Sequence, residues 1–165
     1  MKKLILSILI LLTFVQFEGK AQNKEQKAKK FQLIKTLVES KNYVFQGDWA
    51  YPLRGTSINL IGNPNSLEVK GDSVDIYLPF FGVSRISGYE NEGGFKYEGP
   101  MQDYHVNYNE KKNKLTISFT VQDRSESLDI TITAFNKSSV DVNLNSDRRD
   151  VMKYRGKMEE PEKSE

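Results

Sequence analysis

The sequence predicts an all-β, mainly antiparallel domain: a single small barrel or closed sandwich of about eight or nine strands, lipocalin-like in the broad sense, with one amphipathic helix before it. Three observations lead there. From Asn42 onward the apolar residues recur with period two, the spacing of a half-buried strand. The alternating runs are separated by short clusters of Gly, Asn, Asp, Ser and Pro, which joins them as antiparallel neighbours. No run of helical period lies between them, so parallel crossover units are excluded. A meander of this length must close or fold over to protect its edges.

The chain has 165 residues. Its first stretch, MKKLILSILILLTFVQFEGKAQ, carries Lys2 and Lys3 before the apolar run Leu4 to Val15, with Gly19 and Ala21 at a small-residue cleavage pattern. Residues 1–21 therefore read as a secretory signal peptide cleaved after Ala21. The apolar run is about 12 residues, against the roughly 20 of a spanning helix. The expectation is an exported protein, periplasmic or extracellular, with no transmembrane anchor after cleavage. Loss of Lys2, Lys3, Lys20 and Glu18 takes the formal charge from +2 to 0. A neutral product gives no electrostatic reason for nucleic acid as a partner. The chain contains no cysteine, which excludes disulfides, thiolate metal ligands and a cysteine nucleophile.

Residues 22–41 form a polar tail and the helix, whose apolar positions Ala28, Phe31, Ile34, Leu37 and Val38 fall at 3–4 spacing over about Lys24 to Ser40. It would plug one end of the barrel or cover an open edge. The β domain is placed at 42–158. Tyr43, Phe45, Trp49 and Tyr51 suit a first strand ended by Pro52, and Ser57 to Ile61 a second. Residues 66–78 read as a hairpin about Gly71-Asp72, with Val74, Ile76 and Leu78 on one face. Alternation resumes at Tyr104, Val106 and Tyr108, at Leu115 to Val121, at Leu128 to Ala134 and at Val140 to Leu144. A last strand lies within Val151 to Met158, and 159–165 is a charged tail.

Known catalytic signatures are missing. His105 is the sole histidine, and alternation sets it on the face opposite Tyr104, Val106 and Tyr108. There is no Gly-x-Ser-x-Gly elbow, P-loop or dinucleotide fingerprint. Asp72 with Asp75, and Glu90 with Glu92, are too close in sequence to face each other across a glycosidic bond. No catalytic residue, cofactor or metal ligand is assigned. Binding residues are easier to nominate. Aromatic residues crowd one region, and Phe80, Phe81, Arg85, Tyr89, Phe95 and Tyr97 form a candidate ligand site. The same residues would also serve as core on a pleated, half-buried sheet. Within the segment YLPFFG, Pro79 belongs at a strand end or on an edge; if the strand persists past it, Phe80 continues the Ile76–Leu78 face and Phe81 points to the other.

Tyr51-Pro52-Leu53-Arg54-Gly55, Gly71-Asp72-Ser73-Val74, Leu78-Pro79-Phe80-Phe81-Gly82, Gly94-Phe95 and RRDVMKYRG from Arg148 to Gly156 occur in an order that resembles the secreted bacterial proteins of the domain-of-unknown-function family numbered 4251. The resemblance spans nearly the whole exported chain and implies a compartment and a fold. It brings no activity, cofactor or catalytic residue. The functional expectation is a non-enzymatic binding module for a small, partly apolar ligand. A structural or interaction module that meets an envelope protein is the alternative, and an envelope hydrolase using carboxylates is the third.

Overall fold

A computed structural model describes residues 22–84, 94–124 and 126–162. Residues 1–21, Arg85, Tyr89 and most of the glycine-rich loop lie outside the described residues. Helix α1 covers 22–39. It buries Phe31, Ile34, Leu37 and Val38, the stripe expected from their spacing, and leaves Lys24, Lys27, Lys29 and Lys30 in solvent.

The strands are β1 (Asn42–Pro52), β2 (Ile58–Asn59), β3 (Ser66–Lys70), β4 (Ser73–Leu78), β5 (Phe95–Pro100), β6 (Gln102–Asn109), β7 (Lys114–Gln122), β8 (Ser127–Asn136), β9 (Ser139–Ser146) and β10 (Met152–Glu159). They form one sheet in the order β5-β4-β3-β1-β10-β9-β8-β7-β6, with β2 attached to β1. Every pairing along this path is antiparallel. The path begins and ends on strands consecutive in the chain, β5 and β6, so the sheet curls into a nearly closed barrel. The Met101 amide donates to the Asp72 carbonyl at 2.8 Å, extending the β4–β5 ladder towards β6. Inside the barrel, the Tyr43 and Tyr104 hydroxyls meet at 3.2 Å.

Helix α1 closes the barrel end that carries the β3–β4 and β6–β7 turns. Lys35 pairs with Glu110 at 2.9 Å and Lys41 with Asp72 at 2.7 Å. Their ammonium groups lie over the rings of Tyr108 and Tyr104, each 5.1 Å from the centroid. Inward residues of the strands and helix merge into one core, from Tyr43, Phe45, Leu67 and Ile76 to Ile117, Ile132, Val142 and Tyr154.

Three local readings are corrected. The proposed strand Ser57 to Ile61 pairs only at Ile58 and Asn59; Leu60 is buried instead beside β1, its amide on the Asp48 carbonyl. Phe95 to Pro100, left outside the predicted strands, is strand β5 paired along β4. The regular alternation assumed through β1 breaks: Gly47 opposes Gly156 and Trp49 opposes Arg155, leaving Asp48 as an extra residue. A one-residue bulge reverses every later side chain. Ala50 therefore enters the core while Trp49 and Tyr51 face outward, 36% and 37% exposed. The Asn65 side chain holds the bulge, accepting from the Gly47 amide at 2.7 Å and donating to the Gly47 carbonyl at 3.0 Å.

Candidate functional site

The YLPFFG segment turns the corner at the barrel end opposite α1. Pro79 follows β4 directly, and its carbonyl accepts the Tyr154 hydroxyl at 2.7 Å. Burial raises the Tyr154 pKa, so the phenol stays a donor. Phe80 packs against the core and meets Phe95 edge to face at 5.3 Å. Phe81 is 37% exposed. The chain then crosses to the β9–β10 turn, where Ser84 bridges Arg149 and the Asp150 amide donates to the Val83 carbonyl. Tyr97 is half-buried, with its hydroxyl on the Pro100 carbonyl at 2.8 Å. Of the six nominated residues, the structure brings Phe80 and Phe95 together, sets Tyr97 further along β5 and turns Phe81 outward. Arg85 and Tyr89 lie outside the described residues.

What fills this corner is an ion pair that the sequence reading passed over. Arg149 is 6% and Glu126 8% exposed. The Arg149 Nε donates to Glu126 Oε1 at 2.8 Å, its Nη2 to Glu126 Oε2, and its Nη1 to the Gly94 carbonyl at 2.8 Å. Its guanidinium lies 3.9 Å from the Phe95 ring centroid and 5.3 Å from that of Phe80, a cation–π arrangement. Ser146 donates to Glu126 and accepts the Arg148 and Arg149 amides at 2.9 Å each. Carboxylate and guanidinium are both committed to joining the β7–β8 turn, the start of β5 and the β9–β10 turn. The stretch SDRRD, residues 146–150, positions this arginine. No local sequence signal links Arg149 with Glu126, 23 residues away.

A second feature lies on the outer face. A groove of about 580 Å³ runs over β8, β9, β10 and the end of β1, lined by Tyr51, Thr131, Thr133, Asp141, Asn143, Lys153 and Arg155 among others. Arg155 Nε donates to Asp141 Oδ1 at 2.8 Å, and that carboxylate raises the guanidinium's pKa. Asn143 Oδ1 is buried without a hydrogen-bond partner among the described residues. Its volume falls in the usual range for small-molecule sites, roughly 300–1,000 Å³. These residues were visible in the sequence only as the outward half of each alternation, because register alone decides which become neighbours. Among the described residues no group of three or more His, Asp or Glu side chains could hold a metal ion. No helix among them is long and apolar enough to cross a membrane.

Comparison with known proteins agrees with this fold. The family model of a domain of unknown function, DUF4251, matches residues 25–158. The crystal structure of a DUF4251 family protein from Bacteroides eggerthii DSM 20697 superposes with a TM-score of 0.64 at 17% identity, covering 83% of this chain and 91% of that one. No curated protein matches the chain.

Proposed function

The chain belongs to the DUF4251 family, and from that membership and the geometry above we propose that it is a non-enzymatic binding module of the exported compartment, whose ligand sits on the outside of the barrel. The observation that carries the reading is the groove bounded by Tyr51, Asp141, Asn143, Lys153 and Arg155. It combines a half-exposed aromatic ring, a side-chain amide and charges of both signs. The inward faces of the strands are occupied by packed side chains, which supports an external rather than an internal ligand. Phe80 and Phe95 belong to that packing; Phe81 is exposed but is not part of the groove's lining.

A ligand that prefers the folded state raises apparent stability. Thermal-shift screening of the purified protein against sugars, nucleosides, amino acids and fatty acids should give a shift of several degrees for one class, abolished by Tyr51→Ala. A shift that survives Tyr51→Ala, or no shift in any class, would reject the groove as the site. A specific observation favours the interaction reading as second: Leu53, Ile61, Phe81 and Val83 are all exposed and belong to the connections at the end opposite α1. On that reading an envelope protein is captured by the wild type and lost in Phe81→Ser.

A further inference from the structure

Resting on the binding reading above, we propose that the ligand is a linear glycan laid across the strands on the outer face from β1 to β6. The registers place two parallel rows of outward side chains along that line. One runs Trp49, Arg155, Asp141, Thr133, Thr116 and Asn107. The other runs Tyr51, Lys153, Asn143, Thr131, Ser118 and His105. Neighbouring strands are about 4.8 Å apart, so six of them make a track of roughly 24 Å.

The composition of the rows identifies the chemistry. Two half-exposed aromatic rings stand side by side on β1, offering flat apolar surfaces with polar edges for the C–H face of a sugar ring. Beside them Arg155 and Asp141 hold each other, Nε to Oδ1 at 2.8 Å, and the outer edge of that pair, with the Asn143 amide, offers N–H and oxygen groups to adjacent hydroxyls. Beyond these, the track is almost all hydroxyl and amide groups, able both to donate and to accept as sugar hydroxyls do. Asn143 Oδ1 lies buried beneath this row without a hydrogen-bond partner among the described residues. A peptide strand would pair with a sheet edge and not run across the ladder. A fatty chain would find no continuous apolar surface here.

Isothermal titration of the purified protein with hexamers and trimers of β-1,4-linked glucose, xylose, mannose and N-acetylglucosamine, and of α-1,4-linked galacturonic acid, tests this. At least one hexamer should bind, ten-fold or more tighter than its trimer. Trp49→Ala and Tyr51→Ala should each weaken it at least ten-fold, with the thermal midpoint within a few degrees of wild type. Ser118→Arg, which blocks the track at β7, should bring hexamer affinity down to that of the trimer and leave the trimer unaffected. If no hexamer binds while another small molecule binds in a Tyr51-dependent manner, the glycan assignment fails and the groove stands as a site. If a glycan binds equally well to the Trp49 and Tyr51 variants, or if nothing binds, both assignments fail. Equal affinity for hexamer and trimer overturns the extended track.

Discussion

Single residues decide how the two barrel ends differ. Arg149 is the clearest case, because it joins Glu126, the Gly94 carbonyl and the rings of Phe80 and Phe95 at one buried point. Removing one member of a buried ion pair leaves an uncompensated charge, at a cost of about 3–5 kcal/mol. Arg149→Met should therefore lower unfolding free energy in urea by that order. Glu126→Leu combined with Arg149→Met should recover much of the loss, since a buried pair often differs little in stability from apolar residues of similar volume. A loss below about 1 kcal/mol in the single variant would contradict the assigned role. The family resemblance drew attention to RRDVMKYRG, yet which of its two arginines turns inward was not legible. Arg148 and Arg149 alternate on an irregular turn, and only the placement of Glu126 selects between them.

At the scale of elements, the β1–β10 crossing controls the outer face. Gly47 and Gly156 oppose each other in the register, and a Cβ on Gly156 would lie 1.9 Å from the Gln46 carbonyl oxygen. The obstacle is backbone, which cannot swing away as a side chain can. Gly156→Ala should thus shift the β1 pairing and lower stability by more than about 3 kcal/mol, the range of clear packing violations. An unchanged urea midpoint would refute the tight approach. Next to this contact, the Asp48 bulge turns Trp49 and Tyr51 outward. Sequence alternation had carried both on in phase with Tyr43 and Phe45, because an extra residue leaves no mark on period-two spacing unless its partner strand is known. Helix α1 was legible almost to its ends, since its stripe of Phe31, Ile34, Leu37 and Val38 depends on local spacing alone.

For the whole molecule, the absence of cysteine leaves stability to the packed core and to polar groups placed inside it. Burial raises the pKa of both Tyr43 and Tyr154 above the ordinary tyrosine value. The folded state therefore keeps these protons where the unfolded chain, near pH 10, begins to release them. Their contribution is complete below that pH and diminishes as pH rises above it. Urea midpoints measured from pH 8 to 11.5 should be level at first and then fall. Absorbance near 295 nm should show a group of tyrosines ionising only with unfolding, and Tyr154→Phe should flatten the alkaline slope. A slope unaltered by that substitution would show that Tyr154 is not the protected group.

The sequence by itself determined the fold class, the hairpin about Gly71-Asp72, the strand faces of β4, β7, β8 and β9, the helix stripe and the opposite directions of Phe80 and Phe81. All of these follow from local periodicity and from what proline and glycine permit. Only the tertiary structure decided that β5 and β6 meet at a nearly closed seam, that α1 caps an end, that Glu126 and Arg149 pair, and that Trp49 and Tyr51 head two polar rows across six strands. Each of these depends on register between segments far apart in the chain. Register is set by the summed packing of both partners and by bulges such as Asp48, and neither partner's sequence contains it alone.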